Sequence, residues 1–395
     1  MTSSRTLPLW PAALLAATIL TLSACGGGDS APAPAPVYPE VANRGQLKDA
    51  ALVNTVAAAD IAAAVVSGAS RVAMATPLYP VTSYRLTYIT SDGQGREIVA
   101  SGLVSVPVKG AGARSPVISY QHATLYKDAQ APSNNVVASE PVLVLASLGY
   151  IVVAADYVGY GASRTAQHPY LLSPPSAAAV VDLLTAARSW RQTQGVADNG
   201  QMFMLGYSEG GYTTMAAHRA MQNAGSPHLA QLVSTVPGAG PHHVGVTMDA
   251  LLQRVRDEAP LIAGLIDPGR LSSLSTTVLD ELRRLILRLV IPDDADVTFQ
   301  STFLDYFLAD DNAAIERDCS VYDWKPDVPV RLYHGREDQT VPYASSSRTL
   351  LAMQARGAAA VTLTDCTAVP SSHTGCVAPY FTFALGHLAA VANDL

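Results

Sequence analysis

The feature that most constrains this chain is a series of short, continuously apolar runs: 116–120 (PVISY), 150–155 (YIVVAA), 202–205 (MFML), 232–236 (LVSTV) and 330–333 (VRLY). A strand with one wet face alternates apolar and polar residues, so runs without alternation suit parallel strands buried on both faces. Helical patterns at 176–194 and 210–222, and a longer insertion, separate them. Strand and helix in alternation predict an α/β fold, a doubly wound and mostly parallel sheet. Ahead of it, 81–90 and 97–106 are rich in Val, Ile, Tyr and Thr and are split by Ser-Asp-Gly-Gln-Gly. That pattern predicts a leading antiparallel hairpin. The Ala-rich stretch 46–66 reads as a helix, and no internal repeat is visible.

Composition narrows the function classes. The chain is 49% hydrophobic and 14% charged, which suits a large core and not a disordered polymer. Its formal charge is −7, and its nearest basic grouping is Arg283, Arg284 and Arg288 on one predicted helix. Counterion release would therefore contribute little, and no nucleic-acid partner is expected. Four cysteines are too few for a disulfide scaffold, and no CxxC or CxxH pair suggests a metal site.

Residues 1–24 read as an export signal. Arg5 is the only charge before Asp29, an apolar stretch spans 12–22, and Leu22-Ser23-Ala24-Cys25 follows. The apolar stretch is shorter than the roughly 20 residues needed to cross a bilayer core. Leu-Ser-Ala-Cys resembles the lipobox of bacterial lipoproteins, which implies that Cys25 is lipidated and becomes the mature N-terminus. Gly26 follows it in place of Asp, which by the same resemblance favours the outer membrane of a diderm bacterium. Residues 25–42, Gly-rich and then Ala-Pro-rich, have nothing to bury and read as a tether. Folded structure is expected over 43–240 and 320–395. Residues 241–319 show no clear strand but carry a helical pattern at 277–291, with acids early and arginines late, as the helix dipole favours. This segment reads as a helical cap inserted over the sheet, or as an ordinary surface helix pair.

The sharpest chemical signal is Gly206-Tyr207-Ser208-Glu209-Gly210-Gly211, directly after one apolar run and directly before a helix. A nucleophilic serine on a tight strand-to-helix turn needs small residues two before and two after it, so that the backbones can pass. A serine hydroxyl also needs a base, itself oriented by an acid. The stretch 333–342 (YHGREDQTVP) puts Glu337 and Asp338 on the loop after a strand. His373 and His387 are the candidate bases downstream. His373 lies between a candidate strand at 359–364 and the last helix, where a loop residue could reach the serine. His387 falls inside the helical stretch 378–393 and reads as a packed helix residue, although Gly386-His387-Leu388 looks like the base motif of some relatives. His242 and His243 read as structural or solvated, with pocket lining as the alternative. Two amide donors are needed for the developing oxyanion. They are expected from Glu209, the residue after the serine, and from Thr124 or Ala123 in Tyr120-Gln121-His122-Ala123-Thr124.

Taken together, these motifs resemble the α/β-hydrolase superfamily from about Val81 to Leu395. HGxxDxxVP is similar to its acid loop, which favours Asp338 and leaves Glu337 as a solvated charge. Asp156-Tyr157-Val158-Gly159-Tyr160-Gly161-Ala162-Ser163, His168-Pro169-Tyr170-Leu171, SYQHAT and GYSEGGY resemble secretory lipases of the Candida lipase A type and their bacterial esterase relatives. The one departure is Ala123, where the oxyanion loop of relatives has Gly. The resemblance implies an α/β-hydrolase fold with a helical cap and a serine carboxylic-ester hydrolase acting through an acyl-enzyme on apolar acyl esters. No metal or organic cofactor and no obligate protein partner is implied. A stretch like His373-Thr374-Gly375-Cys376 before the final helix often holds the base in that group. Cys366 and Cys376 flank His373, and in an oxidising compartment a bridge between them would pin the loop. Cys319 would then be left over, with Cys319–Cys366 as the alternative pairing. Two other readings compete: a serine peptidase of the prolyl-oligopeptidase or aminopeptidase kind, and a non-catalytic lipoprotein that reuses the fold. The first usually has an extra N-terminal domain, for which the segment ahead of the hairpin is too short, and the second normally loses a member of the triad.

Overall fold

The computed structural model describes residues 41–395 other than 74, 259–266 and 268. The expected signal, Cys25 and most of the tether lie outside these residues. One sheet holds β1 (Leu47–Val56), β2 (Val81–Ser91), β3 (Glu97–Pro107), β4 (Ser115–Gln121), β5 (Ile151–Ala155), β6 (Asp198–Tyr207), β7 (Leu232–Gly238), β8 (Val330–His334) and β9 (Val361–Asp365). Its order is β1-β2-β3-β5-β4-β6-β7-β8-β9. β1, β2 and β3 pair antiparallel, β3 meets β5 antiparallel, and every pair from β5–β4 to β8–β9 is parallel. The expected hairpin forms with Val81 opposite Pro107 and Ser91 opposite Glu97.

One expectation fails. The stretch 46–66 is not a single helix but the edge strand β1 followed by α1 (Ala58–Val66). Helix propensity is a weak prior that tertiary context overrides. The exposed edge of β2 offers a full ladder to Leu47–Val56, whose Val53-Asn54-Thr55-Val56 end also favours extended backbone.

The continuous apolar runs are explained by helices on both faces. Ile118, Val152, Phe203 and Leu205 pack on one side against Ile61 of α1, Leu143 and Leu145 of α2 (Pro141–Ser147), and Phe381 and Leu388 of the last helix, Val377–Ala389. Val117, Val153, Met202 and Met204 face the other way, against Leu183, Leu184 and Trp190 of α3 (Ser173–Gln194) and Met221 of α4 (Glu209–Asn223). Neighbouring residues alternate sides, as a pleated strand requires, and both sides are dry.

β4 sits between β5 and β6, so the chain order reverses there and leaves a crevice at the carboxyl ends of β4 and β6. Ligand sites of open α/β sheets lie at such a switch point. Between β7 and β8, helices run over Val244–Glu258 (α5), Thr276–Val290 and Thr302–Leu308. Val244, Met248, Leu252, Leu282, Ile286 and Phe303 from this segment pack onto Tyr212 and Met215 of α4. Among the described residues no helix is long and apolar enough to cross a membrane.

Candidate active site

β6 ends at Tyr207 and α4 begins at Glu209, so Ser208 makes the whole turn, with φ +60° and ψ −124°. A non-glycine residue held there stores on the order of 1–3 kcal/mol of strain. The neighbours explain how it persists. The Ser208 amide donates to Gly238 O at 2.8 Å on the adjacent strand. A Cβ on Gly206 would lie 2.4 Å from Gly210 O, and one on Gly210 would lie 2.1 Å from Gln121 O. The obstructing atoms are backbone and cannot swing away. Gly210→Ala is therefore expected to lower the unfolding free energy by about 2–3 kcal/mol, measurable by urea denaturation.

His373 lies on the loop between β9 and the last helix. Its Nε2 is 2.9 Å from Ser208 Oγ, and its Nδ1 is 2.6 Å from Asp338 Oδ2. Asp338 follows β8, is buried, and accepts the Thr340 and Val341 amides on Oδ1 at 2.8 and 2.9 Å. Burial pushes its carboxyl up, but the bonds from His334 and His373 outweigh this and hold it well below the usual carboxylate range. An ionised Asp338 can only accept, so His373 carries its proton on Nδ1. Nε2 is then bare and accepts the Ser208 hydroxyl proton. A hydroxyl, an imidazole and a carboxylate thus stand in one polarised row.

The loop that holds His373 is tied down at several points. Tyr207 Oη donates to His373 O at 2.8 Å. Glu337, expected as a solvated charge, is exposed but also accepts the Ser371 amide at 2.7 Å. A disulfide joins Cys366 to Cys376, while Cys319 is free and buried, so the alternative pairing is not formed. Closing a loop of this length stabilises by about 2–3 kcal/mol in the chain-entropy view. A Cys366→Ser, Cys376→Ser double variant is expected to lose that amount on urea unfolding.

His334, within the acid motif, also reaches Asp338. Its Nε2 lies 3.0 Å from Val341 O and 3.2 Å from Asp338 Oδ2, and its Nδ1 lies 2.7 Å from Ser346 Oγ. Carbonyl and carboxylate oxygens only accept, so Nε2 carries the proton and Nδ1 accepts from Ser346. Its position at the end of β8, four residues before Asp338, was the available signal.

The remaining expected residues separate clearly. Glu209 is the first residue of α4, so its amide has no acceptor within the helix. Ala123 and Thr124 line the same chamber as Ser208 and His373. The preceding residue, His122, is buried, stacks 4.0 Å from Tyr157, and has Nδ1 2.8 Å from Ala123 O. His387 is half-buried in the last turn of its helix, and burial and the nearby Arg331 lower its pKa. His242 is fully buried with neither ring nitrogen hydrogen-bonded, and burial pushes its pKa down to about 3. His243 stacks on Tyr322 at 4.1 Å. Neither of these two histidines lines the chamber; Pro241 does.

The chamber is about 270 Å³, and its apolar wall includes Tyr170, Leu171, Leu251, Leu289, Val290 and Phe303. Leu251, Leu289, Val290 and Phe303 come from the helices between β7 and β8. A second hollow of about 310 Å³ shares Ala123, Thr124, Tyr126 and Tyr207 with it and continues past Gln130 and Asn135. Among the described residues no cluster of three or more His, Cys, Asp or Glu could hold a metal ion.

Residues 133–267 match the model of the secretory lipase family, a span that includes Ser208 but neither Asp338 nor His373. The rice cell wall degrading esterase LipA from Xanthomonas oryzae superposes with a TM-score of 0.64 at 23% identity, covering 88% of this chain and 98% of that one. Candida antarctica lipase A superposes with a TM-score of 0.54 at 16% identity, covering 84% and 78%. No curated protein sequence matches the chain. At these identities the solved structures establish the fold, which is that of the α/β-hydrolases.

Proposed function

We propose that this α/β-hydrolase-fold chain is an exported, lipid-anchored serine carboxylic-ester hydrolase, with Ser208 as nucleophile, His373 as base and Asp338 as the orienting acid. The observation that carries this reading is the unbroken row from Ser208 Oγ through His373 to Asp338 at 2.9 and 2.6 Å, opening into a largely apolar chamber. Such a row activates a hydroxyl that is otherwise a poor nucleophile.

In the first step Ser208 Oγ attacks the ester carbonyl while His373 Nε2 takes its proton. The carbonyl oxygen becomes an oxyanion, received by the Glu209 amide at the start of α4 and by the amide of Thr124 or Ala123. His373 then returns the proton to the leaving alcohol, and Asp338 stabilises the imidazolium throughout. In the second step water, deprotonated by the same imidazole, releases the acid and restores Ser208. The helices within 241–319 act as a cap that supplies the apolar wall for the acyl chain. Lipidation at Cys25 and the 25–42 tether would hold the 43–395 body at the outer membrane.

A p-nitrophenyl ester series and a set of amino-acyl p-nitroanilides, assayed on protein lacking residues 1–25, test the assignment. Turnover of esters with negligible anilide cleavage is expected. Efficient anilide cleavage would point to a peptidase instead, and no turnover of either would remove the enzymatic reading.

A further inference from the structure

Directly behind Ser208, Glu209 is only 2% exposed, and so is His168, whose Nε2 lies 2.6 Å from Glu209 Oε1. Glu209 Oε2 is buried and has no hydrogen-bond partner. The same imidazole places Nδ1 2.9 Å from Val158 O. A carbonyl oxygen only accepts, so Nδ1 carries a proton. The contact at Nε2 then needs a second proton between nitrogen and carboxyl oxygen, because two bare lone pairs at that distance would repel. Whichever atom holds that proton, imidazole and carboxyl together are uncharged.

This matters because of where Glu209 stands. Its amide is the first donor assigned to the oxyanion, and its buried carboxyl belongs to the same first residue of α4. A bare carboxylate there would oppose the charge that develops in the transition state. We propose that His168 is a positioning residue for the reaction: it shares a proton with Glu209, keeps the side chain beside the oxyanion site uncharged, and holds the α4 N-terminus in place. The proposal rests on the ester-hydrolase reading. The other titratable groups around the pair are His122, Tyr126, Tyr157, Tyr160, Tyr170 and Tyr212. Burial disfavours the cationic form of His122, and a tyrosine ionises only to an anion, so none of them supplies a compensating cation. The segment 298–300, near the end of the inserted helices, is fastened to the same imidazole residue. His168 N donates to Thr298 O and Gln300 N donates to His168 O, each at 2.8 Å, while Phe299 packs edge-on to the ring. Any shift of that segment therefore acts on the pair.

The test compares wild type, His168→Gln and the His168→Gln, Glu209→Gln double variant on p-nitrophenyl butyrate at pH 8. His168→Gln leaves an unneutralised Glu209, and its kcat at pH 8 should fall about 10- to 100-fold with KM little changed. The double variant, again uncharged, should recover at least tenfold over the single one. A double variant as slow as His168→Gln, or a loss that falls on KM and not on kcat, would overturn the proposal. If His168→Gln does not fold, histidine-labelled wild type settles the matter by ¹⁵N NMR: Nδ1 of His168 should be protonated, and a bare Nδ1 would contradict the proposal. Failure of the wild type to turn over the ester would instead count against the underlying reading.

Discussion

Replacing His373 with alanine is expected to lower kcat on a p-nitrophenyl ester by about 10⁴-fold or more, with KM changed far less. The variant loses both the acceptor for the Ser208 proton and the donor to the leaving alcohol, and no other base lies within hydrogen-bond reach of Ser208 Oγ among the described bonds. His387→Ala should retain most of the activity, because that imidazole lies in the last turn of the final helix beside Arg331. Steady-state kinetics on the two purified variants check the pair of expectations. The reverse pattern would move the base to His387.

Asp338→Asn is expected to lower kcat by a comparable factor, about 10⁴-fold, through a different cause. The asparagine oxygen can keep the Thr340 and Val341 amides, so the loop stays folded, but its NH₂ group then faces His373 Nδ1. The imidazole must present a lone pair there, which moves its proton to Nε2 and leaves nothing to accept from Ser208. The pH behaviour follows from the depressed folded-state pKa of Asp338. A group with a lowered folded pKa stabilises fully above its unfolded value of about 3.9 and loses that contribution as pH falls toward the folded value. In wild type, acid should therefore erode stability below about pH 4 through this residue. The Asn variant should show a flatter acid limb in urea unfolding between pH 5 and 2. Asp338 is also ionised at neutral pH, so it is not expected to set the acid limb of a rate profile.

Local pattern carried much of this architecture. The runs at 116–120, 150–155, 202–205, 232–236 and 330–333 became β4 to β8 because a strand dry on both faces has no reason to alternate. The turn at Ser208 was readable for a similar reason. Gly206 and Gly210 sit where a Cβ would strike backbone oxygens, so sterics imprint the spacing directly on the chain. The order of serine, acid and histidine along the sequence also survived into space, with His373 reaching Ser208 across a loop. What escaped depended on contacts between distant segments. Leu47–Val56 forms a strand only because β2 offers it an edge, and no pattern within those residues announces that partner. Ser346 meets His334, which in turn reaches Asp338, through the packing of the helix Tyr343–Ala355 on β8, and His168 meets Glu209 from a separate loop. The inserted helix Thr276–Val290 had a readable apolar stripe, but its role as a chamber wall through Leu289 and Val290 appears only once Ser208 is placed below it.

The most direct test of the central claim is covalent. Protein lacking residues 1–25 is treated with a fluorophosphonate, digested, and mapped by mass spectrometry. Ser208 should carry the phosphonyl adduct stoichiometrically, ester turnover should fall in step with labelling, and His373→Ala should be labelled far more slowly. Full ester turnover after labelling, or an adduct on any residue other than Ser208, would contradict the account.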